Sequence, residues 1–93
     1  MTVDESLSEA VIRYVGLDAS PVPGRHPERI PSLPLRAEVT AIVADLDAVR
    51  PNRSAESLFD WADREVENLL ADRSPLTADA REALVSLLSF TWR

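Results

Sequence analysis

Residues 54–71 read SAESLFDWADREVENLLA, and this stretch decides the fold class. Its apolar residues recur every three or four positions, which places them on one side of an α-helix, whereas a half-buried strand would alternate strictly. With Ser54 as a suitable N-cap, the pattern predicts a helix over residues 54–71. The face assigned to the core consists of Ala55, Leu58, Phe59, Ala62, Val66, Leu69 and Leu70.

Three further stretches carry the same helical period, so the sequence predicts an all-α fold, a small bundle of about four helices in one domain. The predicted ends carry residues that helix termini favour: Gly16 suits a left-handed C-cap, and Ser32 and Thr77 suit N-caps. No stretch alternates apolar and polar residues as a strand of a half-buried sheet would. The predicted spans of these helices are residues 4–15, 34–49 and 78–91.

A long proline-rich connection separates the first two predicted helices. Residues 18–34 read DASPVPGRHPERIPSLP and contain five of the seven prolines. Proline lacks an amide donor and disfavours helix in the residue before it, so we predict an extended connector over residues 18–33. Val22, Ile30 and Leu33 are expected to reach the edge of the core and hold the connector down.

The charge balance restricts the partners that this chain can bind. Sixteen acidic residues outnumber ten basic ones, which gives a formal net charge of −6. Nucleic acids and anionic membrane surfaces would be repelled, so we expect neither as a partner, whereas a basic protein fits the charge. Every basic residue is arginine, a bias typical of proteins from GC-rich bacterial genomes.

The same composition predicts a cytoplasmic location. No run approaches the roughly 18 apolar residues that a membrane-spanning helix needs. The first ten residues, MTVDESLSEA, are acidic, where a secretion signal would be basic and then apolar. Without cysteine, the chain offers neither a disulfide nor a thiolate metal site.

Residues that carry catalysis or bind cofactors are scarce in this sequence. His26, the one histidine, lies in the proline-rich connector near Glu28, and its spacing matches no familiar metal site. Two glycines cannot build a phosphate-binding loop, and no nucleophile motif occurs. We therefore predict a protein that is not an enzyme and holds no metal or cofactor. An enzyme that uses His26 would instead need a pocket around residues 24–29.

The predicted third helix carries a row of acidic residues on the side opposite its apolar face. Glu56, Asp60, Asp63 and Glu67 follow one another at spacings of four, three and four, so they stack along one face. Such a row is either an ordinary solvent-exposed face or a docking strip for an arginine- or lysine-rich partner.

The C-terminal end of the chain has more apolar surface than one helix contact requires. In LVSLLSFTWR, residues 84–93, the side chains of Val85, Phe90 and Trp92 extend the apolar arc beyond the main stripe. Trp61 flanks the stripe of the third helix in the same way. Either these residues complete the core, with the last helix central in the bundle, or they form a partner-binding surface.

Two functions follow from these patterns. The first is a protein–protein interaction or regulatory module, an oligomer or the small subunit of an assembly, that binds through Trp61, Val85, Phe90 and Trp92. In size, acidity and helicity the chain also resembles small bacterial immunity proteins and antitoxins. That resemblance implies an alternative, an acidic inhibitor that neutralises a basic partner through the row on the third helix.

Overall fold

A computed structural model describes residues 3–16, 19, 22–49, 57–71, 73 and 75–92. Over these residues the chain forms four α-helices and one short 3-10 turn, with no strand, so the predicted all-α class is confirmed. The 3-10 turn, Pro27–Arg29, lies in the connector between the first two helices. The helices are α1 (Glu5–Val15), α2 (Leu33–Asp47), α3 (Leu58–Leu70) and α4 (Ala78–Thr91).

Side-chain caps fix the starts of the helices close to where the sequence predicts them. The hydroxyl of Ser32 accepts from the amide of Leu35 at 3.5 Å, and that of Thr77 accepts from the amide of Ala80 at 3.2 Å. At the end of α1, Gly16 adopts the predicted left-handed conformation with φ 82°. The hydroxyls of Ser32 and Thr77 thus accept from first-turn amides that would otherwise have no partner.

The predicted start of α3 at Ser54 is wrong. Ser57 has extended backbone angles, φ −65° and ψ 156°, and its hydroxyl accepts from the amide of Asp60 at 3.1 Å. The helix therefore begins at Leu58. Both serines precede an apolar helical pattern and satisfy the N-cap rule equally, and Ser54 itself lies outside the described residues.

The last helix, α4, is the central member of the bundle. It contacts α1, α2 and α3, so its wide apolar arc meets a neighbour on several sides. This arrangement accounts for an arc that a helix with one contact would not need. Its buried residues are Ala80, Ala83, Leu84, Val85, Leu87 and Leu88.

A buried serine joins the first helix to the last. Ser8, 1% exposed, donates from its hydroxyl to the carbonyl of Asp4 at 2.7 Å and accepts from the amide of Thr77 at 2.9 Å. The amide of Asp4 in turn donates to the carbonyl of Pro75 at 2.9 Å. These hydrogen bonds join the start of α1 to the segment before α4. They also give the buried hydroxyl of Ser8 the partners that a buried polar group requires.

The connector folds back onto the C-terminal end of α1. A helix leaves its last four carbonyl groups without partners inside the helix. Here each of them accepts a hydrogen bond, three from the connector and one from the C-cap. The pairs, donor first, are Gly16 N with Ile12 O (2.9 Å), Arg29 Nη1 with Arg13 O (3.0 Å), His26 N with Tyr14 O (2.8 Å) and Gly24 N with Val15 O (2.8 Å).

One apolar residue of the connector enters the core. Ile30 is buried, and its carbonyl accepts two hydrogen bonds from the guanidinium of Arg36, at 3.1 and 2.8 Å. The expectation that Val22 and Leu33 do the same is wrong, since they are 52% and 69% exposed. Leu33 is the first residue of α2, and on that helix it points away from the buried side that holds Val39.

The molecule is compact, with a radius of gyration of 12.6 Å, near the ~13 Å typical of a 100-residue domain. Among the helices built from described residues, none combines the length and apolar character needed to cross a bilayer.

Candidate interaction surface

The two aromatic residues near the start of α3 have exchanged their predicted places. Trp61, expected on the partner-binding surface, is 3% exposed and belongs to the core, whereas Phe59, expected in the core, is 57% exposed. The buried side of α3 rotates along the helix from Trp61 near its start to Leu70 at its end. Trp61 also has the larger apolar surface, so burying it contributes more than burying Phe59 would.

The C-terminal part of α4 divides its predicted surface residues between core and solvent. Val85 is buried against the rest of the core, so it too is corrected from surface to core. Phe90 is 42% exposed. Trp92 is half-buried against the core, with its indole nitrogen Nε1 inaccessible to solvent. Of the four residues predicted to contact a partner, Phe90 is the most exposed, and Trp92 is partly exposed.

Phe59 and Phe90 lie at the same end of the bundle. α3 and α4 make extensive contact and are joined by the short segment of residues 71–77, so they form an antiparallel hairpin. The start of α3 therefore lies beside the end of α4. We refer to the surface formed by Phe59, Phe90 and the exposed part of Trp92 as the aromatic end.

Three predicted acidic residues extend from the aromatic end along the outer side of α3. Asp60, Asp63 and Glu67 are all exposed, and we refer to them as the acidic row. Glu56, the fourth residue predicted for this strip, lies outside the described residues. Among the described residues, no member of the acidic row forms an ion pair with an arginine.

Three acidic residues on α1 and α2 are paired with arginines. Arg25 forms a two-pronged pair with Asp47, at 3.0 and 2.7 Å, and this hydrogen bond raises the pKa of Arg25 from its ordinary value. Arg73 pairs with Asp45 on α2 through one guanidinium nitrogen. On α1, Glu9 and the arginine four residues later, Arg13, lie 2.5 Å apart. Arg25 links the connector to α2, and Arg73 links the α3–α4 turn to α2, whereas the outer side of α3 stays negative.

Arg64 is the one basic residue of α3, and it lies beside the acidic row. Its guanidinium is 4.0 Å from a carboxylate oxygen of Glu65, the next residue along the chain. At about 100° per residue, Arg64 lies roughly 100° around the helix from Asp63. The row therefore keeps a continuous negative face with a positive edge.

His26 fills a structural place in the connector. Its imidazole lies against both glycines of the chain: a Cβ atom added at Gly16 or at Gly24 would come within 2.8 Å of the ring. Its Nδ1 is 3.5 Å from a carboxylate oxygen of Glu28, and its side chain is 41% exposed. The ring packs where the connector meets the end of α1.

Two surface cavities are small, and one of them borders the acidic row at Glu67. One, of about 180 Å³, lies between α1 and the start of α2, with Ala10, Ile30 and Leu35 in its wall. The other, of about 240 Å³, lies at the turn between α3 and α4. Pockets for small molecules typically enclose about 300–1,000 Å³. In the part of the chain that the structure describes, no three His, Asp or Glu side chains group closely enough to hold a metal.

Comparisons of the chain with protein families, with curated proteins and with solved structures found no match.

Sequence reasoning did not identify Phe59 as a surface residue, because the helical period accommodates it on the apolar face. One signal could have found it. Phe59 is one residue before Asp60 and four before Asp63, so it borders the acidic side of the helix as closely as the apolar side.

Proposed function

We propose that this protein is a protein–protein interaction module and that the aromatic end is its contact surface. The observation that carries the proposal is the joint exposure of Phe59 and Phe90, 57% and 42%, on neighbouring helices at one end of the bundle. Aromatic residues are enriched where interfaces contribute most of their binding energy. Exposed apolar patches on monomeric proteins often mark such interfaces.

The cost of leaving these rings in water supports the proposal. Burying a phenylalanine side chain contributes about 1.5–3 kcal/mol relative to leaving it exposed. The chain has five aromatic residues, two of them phenylalanine, and neither phenylalanine is buried. A domain of this size has a modest core, and burial of the exposed parts of these rings by a partner would stabilise the complex.

A partner of different sequence fits this surface better than a second copy of the chain. Two copies packed through the aromatic end would bring two acidic rows close together, and like charges across an interface oppose association. Self-association is therefore expected to be weak and to strengthen as salt screens the repulsion.

A selection from a random peptide library tests the proposal without assuming the partner. Peptides enriched on the wild-type protein should lose binding to the double variant F59S/F90S and keep binding to L33S. Leu33 is the matched control, because it is an exposed apolar residue on α2, away from the aromatic end. Circular dichroism of all three proteins should show equal helicity.

Two results would overturn the proposal: a library that yields no enriched peptide, or enriched peptides that bind F59S/F90S as tightly as the wild type. Light scattering at low and high salt completes the test. A dimer that is strong at low salt would contradict the charge argument against self-association.

A further inference from the structure

We infer that the partner presents a basic amphipathic segment, in which an apolar side chain packs on Phe59 and arginines or lysines meet the acidic row. The inference rests on the proposed function, since it names the chemistry of the partner for the same surface. Three observations support it. Phe59 and the acidic row share one face of α3, the carboxylates of that row have no arginine partner among the described residues, and an apolar ring lies beside them.

Phe59 and the acidic row share one face of α3. At about 100° of rotation per residue, Phe59, Asp63, Glu67 and Asp60 fall within an arc of roughly 100°. From Phe59 to Glu67 the face extends about 12 Å along the helix axis, at 1.5 Å per residue. A partner segment of about three helical turns would cover it. An apolar contact at one end and three carboxylates beyond it match an amphipathic basic segment.

No ion pair within the described residues neutralises the acidic row, whereas three carboxylates on α1 and α2 have arginine partners. Arg13, Arg25 and Arg73 pair with Glu9, Asp47 and Asp45. Within the described residues the acidic row receives no such pair, although its members repel one another at spacings of three and four. A partner that brings arginines or lysines would relieve this repulsion as it binds, which is the electrostatic complementarity found at specific interfaces.

The position of the three carboxylates on one helix, beside Phe59, favours a peptide over the other ligands that carboxylates attract. A divalent metal needs six or more oxygen ligands around it, and a row on one straight helix cannot surround an ion. Phe59 adds an apolar contact, which a simple cation would not use. Arginine serves both parts of the surface, because its guanidinium pairs with carboxylates and stacks on aromatic rings.

Three synthetic peptides of about five helical turns test the inference. The first carries a leucine stripe flanked by arginines, the second has glutamate at every arginine position, and the third has serine at every leucine position. Fluorescence anisotropy with labelled peptides measures binding to the wild-type protein. The first peptide should bind at least about tenfold more tightly than either of the others at 50 mM salt, and more weakly as salt increases.

Two protein variants separate the local surface from the overall negative charge. D60N/D63N/E67Q removes the acidic row without changing the size of its side chains. E38Q/D79N/E82Q removes three carboxylate charges from exposed positions on α2 and α4. The two variants are also matched at the helix starts, because each loses one acidic residue from a first turn, Asp60 or Asp79. The row variant should bind the first peptide about tenfold more weakly, and the control variant should change binding less than about twofold.

Equal losses in the two variants would overturn the inference, because binding would then depend on net charge alone. Equal binding of the serine peptide would also overturn it, because Phe59 would have no part in recognition. Under either result, the proposed function still holds if library peptides without basic residues need Phe59 and Phe90 for binding. If those library peptides ignore both rings, the proposed function fails as well.

Discussion

The imidazole of His26 occupies the space that a Cβ atom would need at both glycines of the chain. At Gly24 the requirement is spatial, since an added Cβ would lie 2.8 Å from Nε2. At Gly16 it is both spatial and conformational, because φ is +82° and Cδ2 lies 2.8 Å from the added atom. A side chain that the sequence presents as a loop histidine therefore fixes the residue type at two other positions.

A double-mutant cycle separates the two requirements. G24A should lower the free energy of unfolding by about 1–2 kcal/mol through overpacking against the ring. In an H26A background that loss should disappear, because the ring is gone. G16A should cost more with His26 present, and in H26A it should keep a cost of about 1 kcal/mol, since the left-handed conformation disfavours any side chain. Urea unfolding measures all of these values, and a G24A loss that persists with H26A would mean that the ring is not its cause.

At the scale of elements, the connector acts as a cap for α1 rather than as a loose link. Its amides and the side chain of Arg29 satisfy the carbonyls at the end of that helix. Arg25 ties it to Asp47 near the end of α2. Ile30 adds the one apolar anchor that the described connector residues place in the core.

Truncating that anchor should be far more costly than truncating its exposed neighbours. I30A should lower the free energy of unfolding by about 2–5 kcal/mol, the usual range for a buried isoleucine or leucine replaced by alanine. V22A and L33A, which remove exposed side chains of the same segment, should each change it by less than about 0.5 kcal/mol. Thermal and urea unfolding of the three variants provide the measurement. Equal losses would contradict the different burial of these residues.

How far the sequence predicts each element depends on whether the deciding interaction is local. Helical periods and caps such as Ser32 and Thr77 lie within a few residues, so the four helices and most of their ends follow from the sequence alone. The rotation of α3 does not. Phe59 and Trp61 both fit the apolar period, and only the angle at which α3 crosses its neighbours decides which ring is buried. Ser8 escaped notice because its partner, Thr77, is 69 residues away.

At the scale of the whole molecule, charge is distributed unevenly. Ion pairs join α2 to the connector and to the α3–α4 turn, whereas the outer side of α3 keeps its negative charge. Because the pKa of Arg25 is raised, its guanidinium stays charged at every pH below that value. Its pair with Asp47 therefore stabilises the fold wherever Asp47 is also ionised. This contribution is lost on the alkaline side only as pH rises through that raised pKa. Near neutral pH, changes in stability should therefore reflect salt more than protonation of this pair.

Removing the acidic row should leave the isolated protein more stable at low salt than removing the same charge in the matched control variant. In D60N/D63N/E67Q, relief of repulsion amounts to a few tenths of a kcal/mol for each neighbouring pair, roughly 0.5 kcal/mol in all. E38Q/D79N/E82Q is the control, and the difference between the two variants should vanish near 1 M salt, where charges interact over only about 3 Å. Urea unfolding at several salt concentrations measures this. A row variant less stable than the control at low salt would indicate that the carboxylates stabilise the folded chain.

The hydrogen bonds that join Asp4 and Ser8 to Pro75 and Thr77 also constrain the order in which the chain folds. The α3–α4 hairpin closes across a short connection, so its contacts form at little cost in chain entropy. α1 docks on α4 only after a loop of about seventy residues has closed, and this contact is the main source of long sequence separation in the bundle. On a chain emerging from the ribosome, the connector and α2 are available to α1 early, but its contact with α4 forms only when the segment before α4 has been synthesised.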